Sequence, residues 1–198
     1  MTSRPTLKKS FYSALLLGVF GVLGALSAPA LAADPTLSIV ASANPAVQGS
    51  VIDLNVLISD VSDLFAYQFT LSFNAAVLQA TGVTEGGFLA SGGGSTFADG
   101  GSINNSLGSI DLVFNTLQGA VPGVSGSGSL AHISFNVLSV GSSVLNFSDA
   151  IFLNSNLGDV TVTTQPLTLQ TVAVPEPSTY LLFGAGLAGL AALRRRAA

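Results

Sequence analysis

Between Ile52 and Phe73 the chain alternates with a period of two. Ile52, Leu54, Val56 and Ile58 form one apolar set. Phe65, Tyr67, Phe69, Leu71 and Phe73 form a second, with Ala66, Gln68, Thr70 and Ser72 between them. Successive side chains of a strand point to opposite faces, so such a stretch packs one face and wets the other. The pattern recurs in Ile110, Leu112 and Phe114, which alternate with Asp111, Val113 and Asn115. It recurs again in Ile133, Phe135 and Val137, which alternate with His132, Ser134 and Asn136. Weaker strand patterns cover 36–42, 77–84, 143–153, 159–164 and 167–172, and no helical period is seen between Pro35 and Pro175. Strands broken by Gly, Ser and Asn predict an all-β, antiparallel sandwich. Ser59 to Asp63 reads as a turn, with Asp60 and Asp63 capping it through their side chains. The glycine-rich stretches Gly86–Gly108 and Gly119–Gly128 read as flexible connections. Neither has the lysine or the following helix of a phosphate loop.

The chain has no cysteine. The fold must therefore rest on its core, and residues 34–173 are enough for one domain with a sizeable interior. Charge is segregated. All six basic residues lie at the ends: Arg4, Lys8 and Lys9, then Arg194, Arg195 and Arg196. All ten acidic residues lie between Asp34 and Glu176. The central domain cannot form a salt bridge to Lys or Arg. It also lacks the cations that nucleic-acid binding requires, so no nucleic-acid partner is expected.

Both ends carry targeting features. Arg4, Lys8 and Lys9 precede an apolar run from Phe11 to Leu26, followed by Ala30-Leu31-Ala32. This is the pattern of a helical secretory signal peptide, with cleavage expected after Ala32 or Ala33 and export expected by the Sec machinery. The C-terminus reads Val174-Pro175-Glu176-Pro177, then Ser178 to Leu193, then Arg194 to Arg196. The 16 residues from Ser178 to Leu193 would span about 24 Å as a helix. A bilayer core is about 30 Å, so this is a short transmembrane helix with a basic cytoplasmic stop. Pro175 and Pro177 mark its boundary and hold the preceding peptide extended. The organisation read from the sequence is a signal peptide at 1–33, a β-domain at 34–173 and a sorting tail at 174–198.

The tail resembles the PEP-CTERM sorting signal of Gram-negative bacteria in its motif, short helix and basic cluster, in that order. The resemblance implies that the protein is a substrate of an exosortase, which cleaves near the motif and passes the protein to the cell surface. The inner membrane would hold the chain through the tail until then. Such proteins typically accompany exopolysaccharide or biofilm production.

The central region resembles cohesin domains in three stretches. Phe65-Ala-Tyr-Gln-Phe-Thr-Leu-Ser-Phe-Asn74-Ala-Ala-Val77-Leu78 is similar to their early strand pair. Gly123 to Phe135 is similar to their glycine-rich turn into a later strand, and Phe147 to Leu153 with Asn154 to Thr164 to their closing hairpin. The resemblance implies a jelly-roll sandwich of about nine strands, related to carbohydrate-binding sandwiches. In cellulosomes such domains bind dockerin modules. Asn74 departs from the aspartate that cohesins often carry there, so no partner-contact role is transferred to it.

Catalytic chemistry is poorly supplied. His132 is the sole histidine and lies on the polar side of its strand. It would need a nucleophile and an orienting acid, and no Gly-x-Ser-x-Gly elbow occurs. Asp60 and Asp63 are the nearest thing to a paired-carboxylate glycosidase site. Sugar platforms use flat aromatic rings, yet there is no Trp, and the domain's one tyrosine, Tyr67, is in the core register. Asn154, Asn156 and Asp159 share a loop and are the candidate calcium ligands; no other cofactor is expected. The expected function is an exported, non-catalytic binding or adhesion module that contacts a surface protein or polysaccharide. The alternatives are a structural matrix protein acting by self-assembly and, behind it, a polysaccharide-acting enzyme.

Overall fold

The computed structural model describes residues 33–174 and 179–196. Ala30 and Ala32 of the cleavage site, and Pro175, Glu176 and Pro177 of the tail motif, lie outside the described residues, while Ala33 is exposed. Eleven strands follow in order: β1 (Thr36–Ala41), β2 (Ala46–Val47), β3 (Val51–Ser72), β4 (Leu78–Glu85), β5 (Thr96–Asp99), β6 (Ser102–Asn104), β7 (Ser109–Leu117), β8 (Val124–Val137), β9 (Gly141–Asn154), β10 (Thr163–Thr164) and β11 (Leu167–Val172). A helix, α1, covers Thr179–Arg196.

The 22-residue strand β3 organises everything else. Its first half pairs antiparallel with β1 and β8. From Leu64 onward it pairs with β7 and β9. One layer therefore runs β10-β1-β3-β8-β4, and the other runs from β5 and β6 through β7, β3 and β9 to β11 and β2. The result is the antiparallel sandwich that the alternation predicts, in the jelly-roll form that the resemblance implies.

The turn expected at Ser59–Asp63 is not a turn. Asp60 and Asp63 sit inside β3, each in the left-handed region at φ 56°. The pairing with β8 shifts register between Ile58 and Val61 and again between Val61 and Leu64. These are β-bulges, which bend a strand without ending it, and aspartate is among the few residues that tolerate left-handed φ. Two serines of β8 repair the ladder: Asp60 N–H donates to Ser127 Oγ and Asp63 N–H to Ser125 Oγ, both at 2.9 Å. Val61 and Leu64 remain buried, so the apolar face continues through the bend.

The glycine-rich connections also hold more structure than their composition suggests. Gly86–Gly108 contains a 3-10 turn at Leu89–Gly92 and the strands β5 and β6, both paired with β7. The second half of Gly119–Gly128 is the start of β8. The strand expected over 159–164 reduces to β10 and a single bridge from Asp159 to Leu153. Gly108 shows why glycine is required at one of these positions. Its φ is 74°, and a Cβ there would lie 2.2 Å from the Phe73 carbonyl oxygen.

The core lies between the layers and includes Leu37, Leu54, Ile58, Phe69, Leu71, Ile133 and Phe135, all fully buried. Phe69 meets Phe147 edge-on at 5.4 Å, and Phe73 meets Phe135 edge-on at 5.0 Å. Each such pair contributes about 0.5–1.5 kcal/mol beyond area burial.

Candidate functional site: the outer face of the second layer

The two layers present different outer faces. The β1-β3-β8-β4 face is a polar ladder. Ser134 Oγ donates to Asp53 Oδ1 at 2.6 Å, Asn136 Nδ2 donates to Gln79 Oε1 at 3.1 Å, and Ser129 Oγ donates to Asn55 Oδ1. These groups satisfy one another.

The β5-β7-β3-β9 face is different. Register places Asp99, Phe114, Gln68 and Ile151 in one row across the four strands, and Phe97, Thr116, Ala66 and Leu153 in the next. With strands about 4.8 Å apart, each row is about 14 Å wide. Phe97 and Phe114 lie with ring centroids 5.8 Å apart. Phe97 is 55% exposed, Leu112 56% and Ile151 45%. A dimple of 130 Å³ lies at Gln68, Phe114, Ile151 and Leu153. Grouped exposed apolar side chains mark interaction surfaces, whereas isolated ones need no explanation.

Two bulges shape this face. On β7, Asp111 and Leu112 together oppose Thr70 of β3, and Leu112 is left-handed at φ 57°. On β9 the register shifts beside Gln68 and Thr70, with Asp149 left-handed at φ 49°. The β7 bulge overturns one sequence expectation. Ile110, Leu112 and Phe114 read as one apolar face, but only Ile110 is buried with Val113 and Leu117. The extra residue flips the strand, turning Leu112 and Phe114 outward and Asn115 inward. Asp99, Asp111 and Asp149 are spread along the same strands. No Lys or Arg occurs between Lys9 and Arg194 to offset them, so the face carries an uncompensated negative field.

This geometry belongs with a known family. The cohesin-domain model matches residues 36–173, most of the chain. The chain belongs to the cohesin family. A second model, the PEP-CTERM protein-sorting motif, matches residues 173–196. Cohesin domains are non-catalytic protein-binding modules, and the sorting motif implies an exported protein handled by an exosortase and sorted to the cell surface. The fold is similar to the non-cellulosomal cohesin of Archaeoglobus fulgidus, with a TM-score of 0.53 at 20% identity over 75% of this chain and 96% of that one. It is also similar to the second type II cohesin module of the ScaA scaffoldin of Acetivibrio cellulolyticus, with a TM-score of 0.62 at 16% identity over 76% and 97%. A cohesin of the same organism, in a type II Cohesin-X-Dockerin complex, aligns with a TM-score of 0.59 at 15% identity over 70% and 100%. No protein of curated function matches the chain in sequence.

In this cohesin the side chains of Asp63, His132, Asn154 and Asn74 have structural partners. The Asp63 carboxylate accepts the Ser155 hydroxyl at 2.7 Å, the Gly123 N–H at 2.8 Å and the Ser155 N–H at 3.3 Å. The Ser155 hydroxyl, then the Gly123 amide, hold its pKa below the ordinary value against a smaller desolvation effect. His132 is exposed as expected, with Nε2 3.3 Å from Ser129 Oγ, a neighbour the sequence did not reveal. The Ser129 proton goes to Asn55 instead, on an open sheet face. Asn154 Oδ1 accepts the backbone N–H groups of Asn156 at 3.0 Å and Gly158 at 2.9 Å. It closes its turn as an Asx motif. Among the described residues no three His, Cys, Asp or Glu side chains group around a metal position. Asn74 caps the turn between β3 and β4, accepting the Ala76 N–H at 3.0 Å.

The tail expectation is met in part. The helix α1 is present, and Leu182, Phe183, Leu187, Arg194 and Arg195 are exposed on it. No helix among the described residues is long and apolar enough to cross a membrane. Arg196 closes the helix, and Val174 is 61% exposed just beyond the last strand.

Proposed function

We propose that this cohesin is an exported, surface-sorted adhesion module that engages a protein partner through the outer face of its β5-β7-β3-β9 layer. The observation that carries the reading is the Phe97–Phe114 pair, exposed at Phe97 and half-buried at Phe114, grouped with the exposed Leu112 and Ile151. The partner we propose is a compact protein module of the dockerin type, the kind bound by the Acetivibrio cohesin above. A sugar ligand is less well served, because the two rings are tilted 50° to each other and offer no flat platform. The acidic residues of the face favour a partner with basic residues around an apolar centre.

The tail supports the rest of the proposal. The signal peptide exports the chain, α1 with its arginines holds it transiently at the inner membrane, and an exosortase releases it to the surface at Val174–Pro177. Association with extracellular polysaccharide or a biofilm matrix would then come through the partner. A photo-crosslinking amino acid at position 114 of the full chain, in the producing cells, tests the face. One discrete adduct from position 114 and none from position 134, on the polar face, is expected. Equal capture from both positions overturns the reading, and an adduct at twice the chain's mass would establish self-assembly instead.

A further inference from the structure

The strand β4 ends the first layer, and at eight residues it is the longest strand at a sheet edge; β2 and β10 have two each, β6 three and β5 four. An edge strand presents backbone N–H and C=O groups to which another chain can add. The usual guards are thin here. β4 holds no proline and one charged residue, Glu85 at its end, and no lysine follows Lys9 in the chain. Gln79, Thr81 and Thr84 are exposed along it and uncharged, so like-charge repulsion does not protect it. A bulge between Ala80 and Gly82 twists the strand but leaves the backbone groups of Ala80 to be paired.

Asn105 supplies the pairing. It stands half-buried in the turn between β6 and β7. Its Oδ1 accepts the Ala80 N–H at 2.8 Å, and its Nδ2 donates to the Ala80 carbonyl at 3.0 Å. One amide thus fills both backbone groups of one residue, as a neighbouring strand would. The preceding asparagine has a different duty. Asn104 Oδ1 accepts the N–H groups of Ser106 at 3.1 Å and Leu107 at 3.0 Å, which closes the turn and leaves Asn105 to reach β4. Further along, the loop before β6 lies over the same edge: a Cβ on Gly100 would stand 3.1 Å from the Val83 carbonyl oxygen. Asn44 repeats the arrangement on β11. Its Nδ2 donates to the Thr168 carbonyl and its Oδ1 accepts the Gln170 N–H, both at 3.0 Å. The strand β2 takes over that edge at Thr171.

We propose that Asn105 is a clasp that keeps the β4 edge closed to a second copy of this chain, with Asn44 in the same role on β11. With the Asn105 clasp removed, β4 pairs antiparallel with β4 of another copy about a two-fold axis, which covers both edges and closes the assembly as a dimer. The uncharged row of Gln79, Thr81 and Thr84 meets itself across that axis without repulsion. The device holds the module monomeric whether or not its outer sheet face binds a partner, and it sets the chain against self-assembly through its sheet edges.

The test uses the full chain in mild detergent. Because the chain has no cysteine, Gln79→Cys places a single thiol beside the edge as a reporter. In this background Asn105→Ala should dimerise at a concentration at least about tenfold lower than the parent, the factor that one net hydrogen bond carries. Ultracentrifugation reads the dimer, and oxidation should trap it through position 79. The unfolding temperature is measured alongside to show that the variant is folded. Asn154→Ala is the control: it loses two side-chain bonds to backbone amides, but within its own turn, and should stay monomeric. A folded Asn105→Ala variant that remains monomeric would overturn the proposal. So would equal trapping in Asn154→Ala, which would trace association to lost stability and not to the edge. The parent gives a reading that does not depend on any variant. Its Ala80 amide should exchange with deuterium as slowly as the paired amides inside β8, and exchange as fast as that of the exposed Ser106 would show that the clasp is open in solution.

Discussion

Asp63 and Ser155 stand 92 residues apart and meet at 2.7 Å, carboxylate to hydroxyl. The bond ties the bulge at which β3 passes between layers to the turn that follows β9. Through Gly123 the same carboxylate also fixes the approach to β8. One side chain thus holds three segments at the point where the sandwich bends.

This contact makes stability depend on pH. The folded pKa of Asp63 is depressed below 3.8. The stabilisation is therefore fully present above the unfolded value of about 3.9 and is lost as pH falls through the folded value. Asp63→Asn keeps the left-handed backbone accessible but removes the charge. The variant should unfold at a lower temperature than the parent at pH 7, and the gap should narrow below about pH 4. Thermal melts across that range check it; a gap that does not change with pH would show that the carboxylate charge is irrelevant.

Leu112 is an exposed leucine at φ 57°. A left-handed residue with a Cβ costs about 1–2 kcal/mol, and asparagine bears it better than leucine. Leu112→Asn should raise stability by up to about 1 kcal/mol and weaken partner binding. Leu157, at φ 60° in an exposed turn away from the face, is the control. Leu157→Asn should stabilise similarly and leave binding unchanged. Denaturant unfolding and a binding titration separate the effects. Loss of stability in Leu112→Asn would mean that its conformation carries no strain.

The two positions also show what could be read from the sequence. Strict alternation in Ile52–Ile58, Phe65–Phe73 and Ile133–Val137 identified the buried faces, because a strand packed on one side leaves a period-two record. Bulges erase that record. At Asp60, Asp63 and Leu112 one extra residue shifts the phase, and no local feature distinguishes the shift from a turn or from an unbroken strand. Phe114 therefore read as core when it faces outward beside Phe97. The aromatic pair was legible only as two separate phenylalanines, since β5 lay hidden within a glycine-rich stretch. The Asp63–Ser155 bond depends on a tertiary juxtaposition that sequence spacing does not carry.

Phe69 is fully buried, stacks on Tyr67 at 6.1 Å and meets Phe147 edge-on. Phe69→Ala leaves a cavity between the layers and should cost about 3–5 kcal/mol. Urea unfolding measures it. A cost below about 1 kcal/mol would imply that the layers can collapse onto the void.

Asn154 presents the only side-chain oxygen of its turn that is bonded to two backbone amides. A calcium ion would have to displace those bonds before binding there. Millimolar calcium or its removal with a chelator should leave the unfolding temperature unchanged. A rise with calcium that Asn154→Ala and Asp159→Ala abolish would restore a cation site to this loop.

The end of β11 limits where the tail can be cut. The Val172 carbonyl accepts the Gln48 N–H at 2.8 Å, and Thr171 is buried with Oγ1 bonded to the Ser139 carbonyl at 2.7 Å. A protease working on this strand would have to strip it from both β9 and β2. Val174, by contrast, is 61% exposed. The surface-localised protein should therefore end at or beyond Val174 and before α1, without Arg194, Arg195 and Arg196. Its released domain would keep every acidic residue up to Asp159 and no lysine or arginine. Mass spectrometry of the mature C-terminus decides the matter. Surface protein that retains Arg194 to Ala198 would show that the tail is a permanent anchor, and a terminus upstream of Val172 would mean that the strand is undone before processing.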